Sequence, residues 1–455
     1  MNISQIINSS IISKNNFSPN GKYLLFNSTI NYIEFSPSSE YFLVLLIKVQ
    51  ECYIKSVSKN NFEIKIKEPI YGINSIIWSS NDNNILISLN TYNAFHIFST
   101  QDEYENIEEE LDNQNTFKYN KNFKAIISNI KYQNLPQGIK FSYNGGEFLA
   151  IIIRKQIKDW VEIYDTSNYS LSSCFICNSV NAENIFWTKD NSFILLQENI
   201  NYDSKLFIYS LSGNLITILE PYKNFKGINK LDISPNGHYI TASYCDNKIR
   251  LYHYLSFKLC TELFIDGLIK PTPNKNKFFF EKTVILVENS KKDEINFDHL
   301  FGKDKELFNI ENTLSKNIFS NNNINNDYIT NFSYSFNSKY LAILYTKFPN
   351  IIIIYDITAF KLSFLIVFEN NIIDFIWSPC NLQMVICTEN EDKIYFFQPQ
   401  RAKAFKLPNN NNSSNNSVNE KNKLEKSVVF SSDGKKVLYK NNKYSFFLIE
   451  PGSDI

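Results

Sequence analysis

The sequence predicts an all-β protein, a β-propeller read as a single irregular ring of about eight blades (seven to nine) that takes in residues 1–455. Three observations carry that reading. A short motif, an aromatic or aliphatic residue followed by Ser or Thr, a turn and an apolar strand, recurs nine times. A second signal, an alternating apolar strand ending in an aromatic residue, follows most of these starts by roughly twenty residues, about half a repeat period. Finally, no long stretch keeps apolar residues at the 3.6-residue spacing of a buried helix face.

The clearest copy is Lys230–Tyr254, KLDISPNGHYITASYCDNKIRLYHY. It divides into three strands, around Leu231–Ser234, Tyr239–Tyr244 and Lys248–Tyr254, joined at Pro235-Asn236-Gly237 and Cys245-Asp246-Asn247. Proline presets φ for a turn and Asn-Gly accepts positive φ, so the punctuation has a physical cause. In the third strand, period 2 puts Ile249 and Leu251 on one face and Lys248 and Arg250 on the other.

The nine starts are Phe17, Phe35, Trp78, Phe141, Trp187, Ile233, Tyr334, Trp377 and Phe430, at intervals of 18, 43, 63, 46, 46, 101, 43 and 53 residues. Four intervals lie at 43–46, close to the ~40–45-residue period of WD-repeat blades. The second signal is Val161–Asp165, Leu206–Ser210, Ile249–Tyr252, Ile352–Asp356 and Lys393–Phe397. With Tyr or Phe standing where such repeats carry Trp, these units resemble degenerate WD repeats.

The irregular intervals read as one abbreviation and three insertions. Eighteen residues between Phe17 and Phe35 cannot hold four strands. The insertions are 101–122, with the acidic run Asp102, Glu103, Glu105, Glu108, Glu109, Glu110 and Asp112; 269–327, partly Asn-rich; and the Asn/Ser-rich 408–423, which reads as a loop. Within 269–327, Lys277–Glu288 has strand character and is a candidate hidden blade. Strands expected at Lys436–Lys440 and Tyr444–Glu450 leave the last blade one strand short, and Ile3–Ile12 is placed to complete it, which would remove an exposed edge.

Lys+Arg and Asp+Glu both number 46, so net charge favours neither nucleic acid nor an anionic membrane. The amino terminus lacks a signal-peptide pattern, and the longest apolar run, Tyr41–Ile47, is far short of the ~18 residues of a membrane span. Seven scattered cysteines suit reduced thiols. A soluble intracellular protein is expected.

No residue pattern carries catalysis. Cys174 and Cys177 form a CxxC with no second ligand pair, and in a strand they face opposite sides. His96, His238, His253 and His299 are isolated, and phosphate-loop, nucleophile-elbow and HExxH signatures are absent. Asp165 and Asp356 occupy the same repeat position and read as turn acceptors. Asp246 and His238 read as turn residues; the Gly-His dipeptide that WD repeats place before the first strand is missing. Lys270, Lys275, Lys277 and Lys282, interleaved with Phe278–Phe280, suit a blade edge better than a nucleic-acid patch, and the acidic run suits a solvated loop. Catalytic, cofactor and metal sites are therefore expected to be none, and no partner-contact residue is assigned.

Several longer stretches resemble one family, the WRAP-type centrosomal and spindle-pole WD-repeat proteins. They are Leu135–Phe141, Arg154–Tyr164, Lys205–Ile216, Gly227–Leu263 and, within Ser335–Pro399, Phe348-Pro349-Asn350, Phe375–Pro379 and Met384–Thr388. The shortened first unit, the acidic insertion and the Asn-rich loop depart from it. The resemblance implies a non-enzymatic scaffold in the cytoplasm, at the centrosome, spindle pole or equivalent microtubule-organising centre. Its implied partners are a coiled-coil anchoring protein and, in fungal versions, a minus-end-directed kinesin, which together hold microtubule minus ends and shape the mitotic spindle. The repeats alone also admit a generic adaptor in ubiquitin ligation or RNA processing. A propeller hydrolase would need converging carboxylates or histidines, which the sequence does not offer.

Overall fold

The computed structural model describes residues 3–8, 31–56, 63–67, 70–100, 123–223, 226–264, 277–280, 294–296, 328–368, 370–389, 393–399, 401–406, 427–442 and 445–449. They are almost entirely β-structure, with one 3-10 turn at Ile47–Val49. The strands form eight sheets, each with four antiparallel strands joined in succession except in the last. The first strands of the sheets are Tyr32–Phe35, Ile73–Trp78, Ile139–Phe141, Ala182–Trp187, Ile228–Ile233, Ile329–Tyr334, Ile372–Trp377 and Ser427–Phe430. Hereafter the sheets are numbered in that order.

Each described repeat start is the last residue of one of these strands: Phe35, Trp78, Phe141, Trp187, Ile233, Tyr334, Trp377 and Phe430. Phe17 lies outside the described residues, as do the acidic run and the Asn/Ser-rich 408–423. Each alternating strand of the second signal lies in a third strand: Lys158–Asp165, Leu206–Ser210, Lys248–His253, Phe348–Asp356 and Lys393–Gln398. An all-β chain of repeated four-stranded antiparallel sheets is thus what the sequence specifies.

The described chain divides into two compact units. One takes in Phe26–Ile228, with sheets one to four, and the other Asn229–Ile455 with the amino-terminal strand, holding sheets five to eight. In both, the core lies between successive sheets. Sheet six shows how period 2 fills it. Ile352 and Ile354 pack with Trp377, Phe375 and Phe397 of sheet seven. Ile351, Ile353 and Tyr355 pack with Ile249, Leu251 and Leu263 of sheet five. Both faces of this third strand are therefore covered, which is why Ile351–Ile354 is an unbroken apolar run. In the other unit, Trp187 and Tyr209 are fully buried with Val161 and Phe175 of the preceding sheet.

Three sheets receive a strand from far along the chain. In sheet eight the strand Ile3–Asn8 pairs antiparallel with Ser445–Ile449, in a register that sets Ile3 opposite Ile449. Within the long 269–327 interval, the described strands Lys277–Phe280 and Glu294–Asn296 form no sheet of their own. The first adds in parallel to Lys361–Val367 of sheet six, and the second antiparallel to Arg401–Lys406 of sheet seven.

Candidate partner-binding surface

The repeated turn between first and second strands is built by one hydroxyl. In sheet five, Ser234 Oγ accepts from Tyr239 N at 2.9 Å and donates to Asn236 Oδ1 at 2.7 Å. Asn236 Oδ1 in turn accepts from His238 N at 3.1 Å. The pattern repeats at Ser79–Asn81, Ser335–Asn337 and Ser431–Asp433, and Thr188 accepts from Phe193 N at 3.0 Å. The third residue after the hydroxyl has positive φ in seven sheets: Ser39, Asp82, Gly145, Asn191, Gly237, Ser338 and Gly434. The Ser-Pro-Asn-Gly spelling of sheet five meets that demand at least strain, with φ 78° at Gly237.

These turns touch their neighbours within each unit. Asp82 accepts from Ser38 N, and Asn191 both accepts from Tyr143 N and donates to Tyr143 O. Asn236 N donates to Ser338 Oγ at 2.9 Å, and Cys380 Sγ to Ser432 O. Each unit therefore presents a rigid surface of linked turns suited to recognising a partner by shape and charge.

The first strands hold a second set of polar groups. In sheets five and six, Lys230 Nζ donates to Asn331 Oδ1 and to Phe332 O at 2.8 Å, and Asn229 Nδ2 donates to Ile329 O. Asp374 Oδ2 accepts from Val428 N at 3.3 Å. Burial pushes the Lys230 ammonium below its ordinary value and the Asp374 carboxyl above it. Burial also pushes Glu34 up to about 7. In the other unit Lys131 Nζ donates to Asp159 Oδ2 and Asn181 Oδ1, both at 2.7 Å, and to Ala182 O at 2.6 Å. The Gln133 carbonyl beside it accepts from Asn74 Nδ2 and Ser75 Oγ. These groups stitch one sheet to the next.

The third ensemble surrounds Arg250, whose side chain is only 4% exposed. Its guanidinium makes two bonds to Asp246, at 2.5 and 3.1 Å, and one from Nε to Glu262 at 2.7 Å, and it lies 4.8 Å from the Tyr244 ring centroid. Lys248 reaches the other Glu262 oxygen at 2.9 Å. Although burial opposes it, this company holds Arg250 more firmly protonated than usual. The sequence put Lys248 and Arg250 on one strand face; their shared grip on Glu262 of the fourth strand is what that face is for. Asp246 does bind its own turn, through Lys248 N at 3.3 Å, but its larger role as an arginine clamp was missed. Opposite charges at i and i+4 in a hairpin were the available signal.

The other singled-out residues disperse. Cys177 is buried and Cys174 exposed, both as free thiols. His96 is buried among the rings of Tyr71, Phe98 and Phe123. His238 and His253 flank Tyr254, with ring centroids at 6.3 and 5.6 Å. His299 and the lysines at 270, 275 and 282 lie outside the described residues. Asp165 binds Ser167 N and Oγ at 2.8 and 2.6 Å, and Asp356 binds Thr358 N and Oγ1 at 2.9 and 2.6 Å, the shared turn role expected of them. Among the described residues no three His, Cys, Asp or Glu side chains group as metal ligands. A polar cavity of about 250 Å³ is lined by Tyr202, Asp203, Lys205, Glu220 and Lys223, and spends Asp203 on an ion pair with Lys205 at 2.6 Å.

Comparison with known proteins agrees with this architecture. The family described as WD domain, G-beta repeat matches residues 213–253. That span runs from the fourth strand of sheet four through the first three of sheet five, so the sequence repeat is offset by one strand from the sheet. The chain also resembles WD repeat-containing protein WRAP73 of Mus musculus, with 24% identity over 395 residues, covering 83% of this chain and 78% of the relative.

Proposed function

We propose that this chain is a non-enzymatic WD-repeat scaffold at the centrosome, spindle pole or equivalent microtubule-organising centre. It would help to anchor microtubule minus ends and organise the mitotic spindle by binding other proteins. A coiled-coil anchoring protein is the first partner of this reading and a minus-end-directed kinesin the second. The observation that carries it is the likeness to WRAP73 along 83% of the chain, which extends well beyond the matched repeat. The linked turns are consistent with it, because they offer a rigid recognition surface built from backbone and hydroxyl groups. The single irregular ring of about eight blades belongs to the same proposal; its support is the order of the repeats, and projection images of the purified protein would test it.

The functional test is a tagged copy followed through division, with proximity labelling from the same copy. Accumulation at microtubule-organising centres and labelling of coiled-coil and tubulin-associated proteins are expected. A diffuse signal throughout division, with ubiquitin-ligase or RNA-processing subunits labelled instead, overturns the reading in favour of a generic adaptor.

A further inference from the structure

The turns of sheets five and six differ in chemistry from the other turns. Four of them adjoin: Tyr254 N bonds His238 O at 3.1 Å, Asn236 N bonds Ser338 Oγ at 2.9 Å, and Ile357 N bonds Lys339 O at 2.8 Å. Phe360 meets Tyr239 edge-on, with centroids 6.5 Å apart, which ties the fourth turn to the first. On this continuous surface Leu255, Phe336 and Phe360 are 58%, 40% and 43% exposed. Lys258, Lys339 and Lys361 stand among them, and among the described residues none forms an ion pair.

Among the described residues, the turns that carry these lysines hold no balancing acid. The turns 235–238, 254–258, 336–339 and 357–361 contain neither Asp nor Glu, and Asp356 just before the last is 8% exposed and occupied by Thr358 and Ala359. In contrast, the leading turns of sheets one to four and eight carry Glu40, Asp82, Glu147, Asp190 and Asp433, and that of sheet seven, 378–383, carries neither an acid nor a lysine. A charged and apolar surface of one sign, on turns held rigid from below, has the composition of a docking site rather than of a solvated face.

We propose that this four-turn surface docks an acidic protein segment carrying bulky apolar side chains. Its carboxylates would pair with Lys258, Lys339 and Lys361, and its apolar anchors would cover Leu255, Phe336 and Phe360. Charge complementarity selects the acidic partner, and the three exposed apolar side chains select a protein over a nucleic acid. Three lysines are a short array for a phosphate backbone, and Leu255, the most exposed of the three apolar side chains, offers no ring for a base to stack on. The inference goes beyond the spindle-pole reading and does not depend on it, since it concerns the chemistry of the partner and not its location.

The test titrates the full-length protein into a fluorescein-labelled synthetic peptide that repeats Glu-Glu-Phe-Glu-Glu-Leu, followed by fluorescence anisotropy. Binding that weakens with salt is expected, and so is its loss when glutamine replaces glutamate in the peptide. In the Lys258→Glu, Lys339→Glu, Lys361→Glu variant affinity should fall on the order of tenfold or more. Phe336→Ser with Phe360→Ser should weaken it as well, whereas Glu147→Gln with Asp190→Asn on other turns should not. Lys258, Lys361 and Phe336 are exposed, while Lys339 is half-buried with Nζ 5.1 Å from the Tyr340 ring centroid and Phe360 meets Tyr239, so melting temperatures of all variants are compared with wild type to show them folded. The proposal is overturned by absence of binding, by equal binding of the glutamine peptide, by unchanged affinity in the lysine variant, or by tighter binding of single-stranded RNA or anionic vesicles to the same residues.

Discussion

Sheets five and eight lie in one unit and begin with the same serine-built turn, yet they are finished in opposite ways. In sheet five all four strands follow one another, and the outermost, Leu259–Phe264, is fastened by Lys248 and Arg250 to Glu262. In sheet eight the outermost strand is Ile3–Asn8, which comes from the far end of the chain and is held by the ladder to Ser445–Ile449. A local strand has its register set by a short turn and can be reinforced by one ion cluster. A remote strand must be recruited at the entropic cost of closing a long loop, and it can be removed without touching the rest of the sheet.

The largest expected effect exploits that difference. Deleting residues 1–12 should unpair Ser445–Ile449 and lower the melting temperature on the order of 5–10 °C, given several lost cross-strand pairs and a shift of ~2–4 °C per kcal/mol for a unit of this size. Hydrogen exchange should quicken in 437–449 and stay slow in 239–253. An unchanged melting temperature would remove the remote strand from the stability of the fold.

Breaking sheet five requires a point change. Arg250→Ala takes the buried cation from between Asp246 and Glu262, both partly exposed, and empties the space under Tyr244, so a loss of about 1.5–3 kcal/mol is expected in chemical denaturation. Arg250→Lys should recover only part of this, because lysine cannot make the two-bonded contact to Asp246. If the alanine variant lost less than about 1 kcal/mol, the cluster would be ornamental.

The shared turn supplies the control. Ser234→Ala removes the acceptor of Tyr239 N from a fully buried position, and Ser431→Ala removes that of Lys436 N. Each should cost about 1–2 kcal/mol, with Ser431→Ala at the upper end, because Ser431 Oγ donates to the Asp433 carboxylate where Ser234 Oγ donates to the amide oxygen of Asn236. A smaller loss for Ser431→Ala than for Ser234→Ala would mean that the outermost strand governs the stability of the turn at the other edge of its sheet.

The two sheets were also unequally legible in the sequence. Ser234-Pro235-Asn236-Gly237 and Ser431-Ser432-Asp433-Gly434 announce their turns, because hydroxyl, Asx side chain and positive-φ residue fall at fixed offsets. For the same reason the second and third strands of Lys230–Tyr254 lie within a residue of their expected bounds, whereas the first, expected from Leu231, begins three residues earlier at Ile228. Strand partnership across long distances carries no such spelling. Ile3–Asn8 could be placed only by noticing an unfinished last sheet. Lys277–Phe280 and Glu294–Asn296 follow no repeat start, so nothing local reveals that they join the outer edges of sheets six and seven. The partner surface was illegible for a related reason: Leu255, Lys258, Phe336 and Phe360 are far apart in sequence and meet only because their turns adjoin.

The finest probe of the comparison is acid. In sheet five, hydrogen bonding from Lys248, and also from Arg250, draws the Glu262 carboxyl below its ordinary value. A carboxylate lowered in the folded state contributes stability that is complete above its unfolded value, near 4.5, and is lost as pH falls through the folded one. Glu262 is about one-third exposed, so the contribution should be about 1 kcal/mol or less. Wild type and Glu262→Gln should therefore differ in denaturation at pH 7 and converge toward pH 3, whereas the 1–12 deletion, which removes no acid, should keep its full deficit across the same range. A Glu262→Gln difference that persisted at pH 3 would assign the effect to packing of the outermost strand, and the distinction between a charge-fastened local edge and a ladder-held remote edge would fail.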